Sequence, residues 1–290
     1  MEYYVLNNGV KMPKIGIGVS QIGNDERAVG QDFEFGVEVV QNAIKAGFRA
    51  FDTAEFYGNE DMLGEGIRRS GIGRSDFFVT TKVHNAAQMT ENGPFDAFEQ
   101  SLEKLGMDYV DLYLMHWPLP ERFMATWKSL ERIYHSGRAK GIGVCNFKIH
   151  HLEELAKIWE IPPVVNQYEH HPYLTQRPIR EYCQENGILV TAYCPLGRGR
   201  LGLLDEAVIG KIASKHGKTP AQIILRWNLE LGVSVIPKTI TLSRMMENID
   251  IFDFALDKGD IEAINALNTD VRVIRDPDDP SSYSERPLNQ

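Results

Sequence analysis

The chain has 290 residues, 43% of them hydrophobic and 24% charged, with a formal net charge of −9. That is the make-up of a globular protein with room for one large domain or two small ones. The acidic balance argues against a nucleic-acid partner, which needs a basic face, but leaves room for a local basic pocket that holds a phosphate. The first residues carry no basic stretch followed by an apolar core, and no run is long and apolar enough to span a membrane. Three cysteines, Cys145, Cys183 and Cys194, are an odd, small set that suggests reduced thiols and a cytoplasmic location.

In chain order, Tyr4 to Met12 reads as a hairpin. Asn8-Gly9 is the pair preferred by a tight two-residue turn, in which both central positions need positive φ. Eight short apolar runs follow, at 14–18, 48–52, 77–82, 110–116, 141–145, 163–167, 188–193 and 233–237. Most are apolar on both faces, as parallel strands covered by helices are. Helical patterns lie between them: Val37, Val40 and Ile44 share one face, and so do Phe95, Phe98 and Leu102. Segments 152–159, 179–186 and 221–232 repeat the pattern, and Gly47, Gly71, Gly106, Gly137, Gly187 and Gly232 stand where helices would end. This alternation predicts an α/β fold, a single (β/α)₈ TIM barrel over residues 1–290 with an N-terminal hairpin. An open doubly wound sheet is the alternative. No G-x-G-x-x-G fingerprint follows an early strand, since Gly16 and Gly18 lack the third glycine. Residues 270–290, rich in Pro, Asp and Ser, read as an irregular C-terminal tail.

In such barrels the chemistry sits at the C-terminal ends of the strands. Three successive runs end there in Asp52, Lys82 and His116, and Tyr57 lies in the loop after the first. Each has an ordinary reading: Asp52 as a cap, Lys82 as a solvated cation, His116 as a hydrogen-bonded core residue, Tyr57 as packing. Together they suit proton transfer to a developing alkoxide. A phenol has an unperturbed pKa of about 10. A nearby ammonium would favour phenolate, with Asp52 holding Lys82 and His116 aiming a carbonyl oxygen at Tyr57. No activated Ser or Cys stands beside a base, so carbonyl reduction with hydride from a cofactor fits best. Near the last strand Lys238, Thr239 and Arg244 offer two cations and a hydroxyl within seven residues. That group suits a phosphate monoester, with ordinary surface charge as the alternative.

With these blocks in view, "FDTAEFYGNE", "TTKV", "LYLMHWP", "GIGVCNF", "NQYEHHPY", "TAYCPLGRG" and "IPKTITLSRMMEN" in order, the sequence resembles the aldo-keto reductase family, of the bacterial diketogluconate-reductase-like type. The resemblance runs from the hairpin to about Asn268. It implies an oxidoreductase acting on CH–OH groups with NADP as acceptor, which in cells reduces aldehydes or ketones with NADPH. By resemblance Tyr57 is the general acid, Lys82 its activator, Asp52 the lysine's partner and His116 the carbonyl-orienting residue. Asn146 and Gln167 are implied to bind the nicotinamide carboxamide, and Tyr193 to stack on its ring. Pro195, Leu196 and Gly197 also fall in cofactor-binding blocks. Lys238, Thr239 and Arg244 are implied to take the ribose 2′-phosphate, and Glu247 and Asn248 resemble the family's adenine-side contacts. Cys145 stands where the family usually has serine, and a thiol is the weaker hydrogen-bond partner. Val19-Ser20-Gln21 replaces a bulky aromatic after the first barrel strand, so the pocket there is expected to be wider or more polar. Phe56 and Trp117 are its expected aromatic walls, with the tail from about Asp270 lying over it. The family also implies a monomer.

Two other classes fit parts of the sequence. A regulatory NADPH-binding redox sensor with little turnover would not need all of Asp52, Tyr57, Lys82 and His116. A metal-dependent hydrolase is suggested by His150-His151 and His170-His171, but adjacent residues diverge on a helix or strand, and no metal site is expected.

Overall fold

In a computed structural model of the chain, which describes residues 1–279, β1 (Tyr3–Val5) and β2 (Lys11–Pro13) form an antiparallel hairpin. Eight parallel strands follow, each beside its neighbour in sequence: β3 (Ile17–Gly18), β4 (Ala50–Asp52), β5 (Phe78–Val83), β6 (Leu112–Met115), β7 (Ile142–Cys145), β8 (Val165–Glu169), β9 (Leu189–Tyr193) and β10 (Val233–Ile236). The ring is drawn together where Gly16 N–H donates to the Val235 carbonyl at 2.9 Å and Val235 N–H to the Lys14 carbonyl at 3.1 Å. The helices are α1 (Phe33–Ala46), α2 (Glu60–Arg69), α3 (Gly93–Leu105), α4 (Phe123–His135), α5 (Ile149–Ala156), α6 (Arg177–Glu185), α7 (Ala207–His216), α8 (Pro220–Glu230), α9 (Leu242–Ile249) and α10 (Lys258–Asn265). One helix follows each strand from β3 to β8, two follow β9, and α9 and α10 follow β10. The expected barrel is therefore present. Among the described residues no helix is long and apolar enough to cross a membrane.

Two apolar layers hold it. The outer layer lies between sheet and helices, and includes Val37, Val40 and Ile44 of α1, Phe98 and Leu102 of α3, and Trp127 of α4, all buried. Each large side chain removed from water there contributes about 1.5–3 kcal/mol. The inner layer fills the barrel: Ala50, Phe78, Leu112, Leu114, Val164, Val165 and Cys145 cluster with Leu6 and Met12 of the hairpin. The hairpin thus plugs the N-terminal end. Where α2 meets α3, a Cβ on Gly64 would lie 2.1 Å from the Leu105 carbonyl oxygen, so only glycine allows that approach.

The hairpin turn differs from the expectation. Gly9 N–H donates to the Leu6 carbonyl and Leu6 N–H to the Val10 carbonyl, both at 2.9 Å. Only Gly9 has positive φ, at 86°. The loop has three residues and ends in a bulge at the glycine, in place of the two-residue turn centred on Asn8-Gly9. The asparagines are used otherwise: Asn7 Nδ2 donates to the Pro163 carbonyl at 3.1 Å and Asn8 Nδ2 to the Lys140 carbonyl at 2.9 Å. The turn is shaped to pin the plug to the barrel.

Candidate active site

The C-terminal mouth is built from residues that close each strand. Asp52 ends β4, Lys82 lies one residue before the end of β5, and His116 follows β6 directly. Tyr57 sits in a short 3₁₀ turn, Glu55–Tyr57, after β4. Asn59, fully buried, ties this turn down. Its Nδ2 donates to the Val19 and Ile22 carbonyls at 2.8 and 3.0 Å, and its Oδ1 accepts from the Thr53 hydroxyl at 3.0 Å.

The structure brings the four expected catalytic residues together. Lys82 Nζ donates to Asp52 Oδ1 and, at 2.7 Å, to the Thr53 carbonyl. The same Nζ lies 5.3 Å from the centre of the Tyr57 ring. The rings of Tyr57 and His116 meet edge-on with centres 5.8 Å apart. Burial alone would lower the Lys82 pKa, but Asp52 and the Tyr57 oxygen overcome it and the net shift is upward, so the lysine stays charged. Burial lowers the His116 pKa well below its ordinary value, and the positive charge of Lys82 adds to this, so the imidazole is neutral at pH 7. Its Nδ1 has no hydrogen-bond partner among the described residues.

Lys82 pulls the Tyr57 pKa down, but burial outweighs it and the net shift is upward. The ammonium is already neutralised by Asp52, which itself pushes the phenol up. Tyr57 therefore rests as an intact O–H donor rather than as an incipient phenolate.

The residues expected to meet a cofactor line the same mouth, and several are already engaged. Gln167 Nε2 donates to Asp52 Oδ2 at 2.8 Å, and its oxygen receives the Cys145 thiol at 3.9 Å. Asn146, with φ of 64°, donates from Nδ2 to the His116 carbonyl at 2.9 Å and accepts the Tyr193 hydroxyl at 2.6 Å. The half-buried Tyr193 ring is thus pinned at its far end. Burial pushes the Cys145 thiol up, and that of Cys194 to about 12, so neither is a reactive thiolate. Pro195, Leu196 and Gly197 form the start of the loop after β9; Gly197 takes φ of 60°, and a Cβ there would come within 2.8 Å of Leu203.

Beyond β10, Lys238 and Arg244 are exposed and form no ion pair among the described residues, while Thr239 is buried beside them in sequence. Although the Lys238 side chain reaches water, partial desolvation against the protein lowers its pKa, and the charge of Arg198 adds to this. Exposed cations without a carboxylate partner among the described residues suit an anionic ligand. Glu247 already accepts the Thr219 hydroxyl at 2.6 Å, and Asn248 is buried.

Around the phenol, Phe56 stacks on His84 with ring centres 4.5 Å apart. Ser20 accepts a hydrogen bond from Arg27 Nη2 at 3.3 Å, and Trp117 is half-buried with its carbonyl accepting from Gln88 Nε2 at 3.3 Å. The tail residues 271–278 are fastened beside β8. Buried Glu169 accepts the N–H groups of Val273 and Ile274 at 2.6 and 2.8 Å, and Lys148 pairs with Asp276 and Asp278 at 2.6 and 2.7 Å. Residues 280–290, the rest of the tail expected over the pocket, lie outside the described residues.

His150 and His151 do not diverge as expected. Their ring centres are 4.0 Å apart, and both Nε2 atoms face Asp278, at 3.2 and 3.8 Å. His151 Nδ1 accepts the Lys148 N–H at 3.2 Å. The neutral ring's proton then sits on Nε2, which has no lone pair for a metal. The His170-His171 pair is committed too: His170 Nδ1 meets Asn228 at 2.7 Å and His171 Nε2 meets Glu169 at 2.9 Å.

Sequence reasoning missed Thr53, Asn59, Glu169 and Arg27. Asn59 lies inside the quoted block "FDTAEFYGNE" and was the easiest to find. Arg27 carried no signal, because its place depends on the path of the loop after β3.

Residues 14–269 match the aldo/keto reductase family. Glyoxal reductase of Bacillus subtilis is 48% identical over 274 residues, which cover 94% of this chain and 95% of that protein. The crystal structure of an aldo/keto reductase from Brucella melitensis superposes with a TM-score of 0.85 at 45% identity, covering 92% of this chain and 99% of that one. The Bombyx mori aldo-keto reductase in complex with NADP gives a TM-score of 0.87 at 34% identity over 94% of this chain and 95% of that one.

Proposed function

The chain belongs to the aldo/keto reductase family, and on that premise we propose that it reduces aldehyde or ketone carbonyls to alcohols with NADPH, using Tyr57 as general acid. The observation that carries this reading is the meeting of Lys82, Asp52, Tyr57 and His116 at adjoining strand ends. When bound, the dinucleotide supplies the hydride. Neutral His116 donates an N–H to the carbonyl oxygen and aims it at Tyr57. As the carbonyl carbon gains the hydride, the C=O π electrons pass to oxygen, which takes the Tyr57 proton. The phenolate left behind is stabilised by the ammonium of Lys82, held in place by Asp52 and the Thr53 carbonyl. A solvent proton restores the phenol. Because Tyr57 rests protonated, the acid form is ready at neutral pH, and the lysine acts mainly on the charged state that follows. A positioned acid of this kind contributes about 10²–10⁴-fold.

The residues fit the dinucleotide. Tyr193 offers a flat ring fixed by Asn146. Asn146 and Gln167 each keep a second amide hydrogen for a carboxamide after their internal bonds. Lys238, Thr239 and Arg244 would take a 2′-phosphate, favouring NADPH over NADH. The Bacillus relative is named for glyoxal, which makes a small dicarbonyl the first substrate to try.

The test follows NADPH absorbance with glyoxal and a generic aldehyde, for wild type and Tyr57→Phe. We expect NADPH-dependent turnover that drops by about 10²–10⁴-fold in the variant. Equal turnover in both would remove Tyr57 from the mechanism. NADPH binding with no turnover of any carbonyl would favour the sensor.

A further inference from the structure

Arg27 has no part in the mechanism above, yet it stands at the catalytic tyrosine. It lies in the loop between β3 and α1. Its guanidinium carbon is 5.0 Å from the ring centre of Phe56 and 5.3 Å from that of Tyr57. Its charge is felt by the reacting groups: it lowers the proton affinity of both Tyr57 and His116.

The arginine is held before any ligand arrives. Asp25, almost fully buried, accepts Nε at 2.9 Å on Oδ1 and Nη2 at 2.6 Å on Oδ2. Asp25 also accepts the backbone N–H groups of Gln21 at 2.6 Å and Arg27 at 3.0 Å. Nη2 gives its second hydrogen to Ser20 at 3.3 Å. A guanidinium has five N–H donors in a plane. Three are thereby used, and both hydrogens of Nη1 have no partner among the described residues. The cost of ordering a long side chain has been met by the loop, so the open end of the fork is available to a ligand without further loss of entropy.

The other ionisable groups around the phenol do not compete for this role. Lys82 is committed to Asp52 and the Thr53 carbonyl. His116 is neutral, and so is His84, which burial pulls down to about 4. Glu55, the nearest carboxyl on the Tyr57 turn, accepts the His84 N–H at 2.9 Å.

We propose that Arg27 reads the substrate: its Nη1 binds a carboxylate on the carbonyl compound, so the site prefers oxo acids and carboxylated aldehydes to neutral carbonyls of the same size. The proposal rests on the reductase reading of this site. The guanidinium stands over the ring of Tyr57 while the reacting oxygen meets its hydroxyl. Carboxylate and carbonyl are therefore several bonds apart, as in a carboxybenzaldehyde or the semialdehyde of a dicarboxylic acid.

The test compares kcat/KM for 3- and 4-carboxybenzaldehyde with their methyl esters, at fixed saturating NADPH, in wild type, Arg27→Gln and Arg27→Lys. The quantity read is the acid-to-ester ratio. A hydrogen bond to a charged group changes binding by about 10–100-fold. Wild type should favour the acid, Arg27→Gln should lower the ratio by about that factor, mostly through KM, and Arg27→Lys should fall between, keeping charge but losing the fork. Gln and Lys can each still donate to Asp25, so the loop retains a partner for its buried carboxylate. A purely structural arginine would change both members of each pair alike. Ester turnover with an acid-to-ester ratio that is the same in all three proteins would overturn the proposal and leave the reductase reading standing. Failure of wild type to turn over either compound while it still reduces glyoxal would overturn the proposal alone, and failure with every carbonyl tried would overturn both.

Discussion

Removing the Lys82 side chain tests the centre of the site in a way that separates stability from chemistry. The side chains of Lys82 and Asp52 are 1% and 6% exposed. Lys82→Met leaves the Asp52 carboxylate with one remaining donor from a side chain, Gln167 Nε2 at 2.8 Å, and deprives the Thr53 carbonyl of its lysine. Breaking a buried ion pair from one side costs about 3–5 kcal/mol, because a charge is left without its counterion. Adding Asp52→Asn removes that charge. What then remains is chiefly the carbonyl of Thr53 without a donor, worth about 1–3 kcal/mol. The double variant should therefore be more stable than Lys82→Met by about 2 kcal/mol, although it carries one more substitution. Urea unfolding of wild type, both single variants and the double variant gives the cycle, with NADPH turnover measured on the same samples. Stability should recover in the double variant while turnover stays lost. If the double variant costs the sum of the two singles within about 0.5 kcal/mol, the pair is not coupled and the account of how Lys82 is held fails.

Acid should weaken the fold before the carboxylates titrate. An unfolded histidine takes up its proton near 6.5. In the folded protein burial holds His116 well below that value, helped by the charge of Lys82, while burial holds His84 and His151 at about 4. Below 6.5 the unfolded chain binds more protons, so stability falls as pH falls. His116→Asn should remove one proton's share, about 1.4 kcal/mol per pH unit, and urea midpoints that stay flat from pH 7 to 5 would contradict the assignment. At the other end of the mouth, Lys238→Ala and Arg244→Ala should each weaken NADPH binding by about 10–100-fold with far less effect on NADH. Titration by cofactor fluorescence decides this, and equal losses for both dinucleotides would exclude a 2′-phosphate role.

The barrel was legible because parallel strands buried on both faces are written as unbroken apolar runs, and each of the eight runs overlaps a strand, with β5 and β8 extending one and two residues past theirs. The catalytic set was legible for a related reason: successive strand ends are neighbours in space, so Asp52, Lys82 and His116 had to converge. Residues placed by loops were not. Arg27 reaches Tyr57 only because Asp25 folds the segment after β3 back on itself, and no periodicity encodes that. Gln167 and Asn146 were expected to bind the nicotinamide carboxamide, and the structure also gives their amides partners within the protein. A sequence shows the hydrogen-bonding capacity of such a side chain but not how much of it the fold has used. The hairpin turn shows the same limit, since Asn7 and Asn8 are bonded to segments more than a hundred residues away.

The plugged end of the barrel has a consequence for the order of events. Leu6 and Met12 seal the floor on the interior cluster that rises to Cys145, so traffic to and from Tyr57 passes through the mouth. A dinucleotide lying on Tyr193 and reaching to Lys238 would occupy the inner part of that passage, beneath whatever carbonyl compound follows it. Arrival would then be sequential, with the dinucleotide first, and departure would run in reverse, the alcohol clearing before the spent cofactor could leave. In that arrangement the Arg198–Gln21 contact and the tail fastened to Glu169 would border the way out, and loosening either would change how readily the spent cofactor leaves without touching the groups that move the proton.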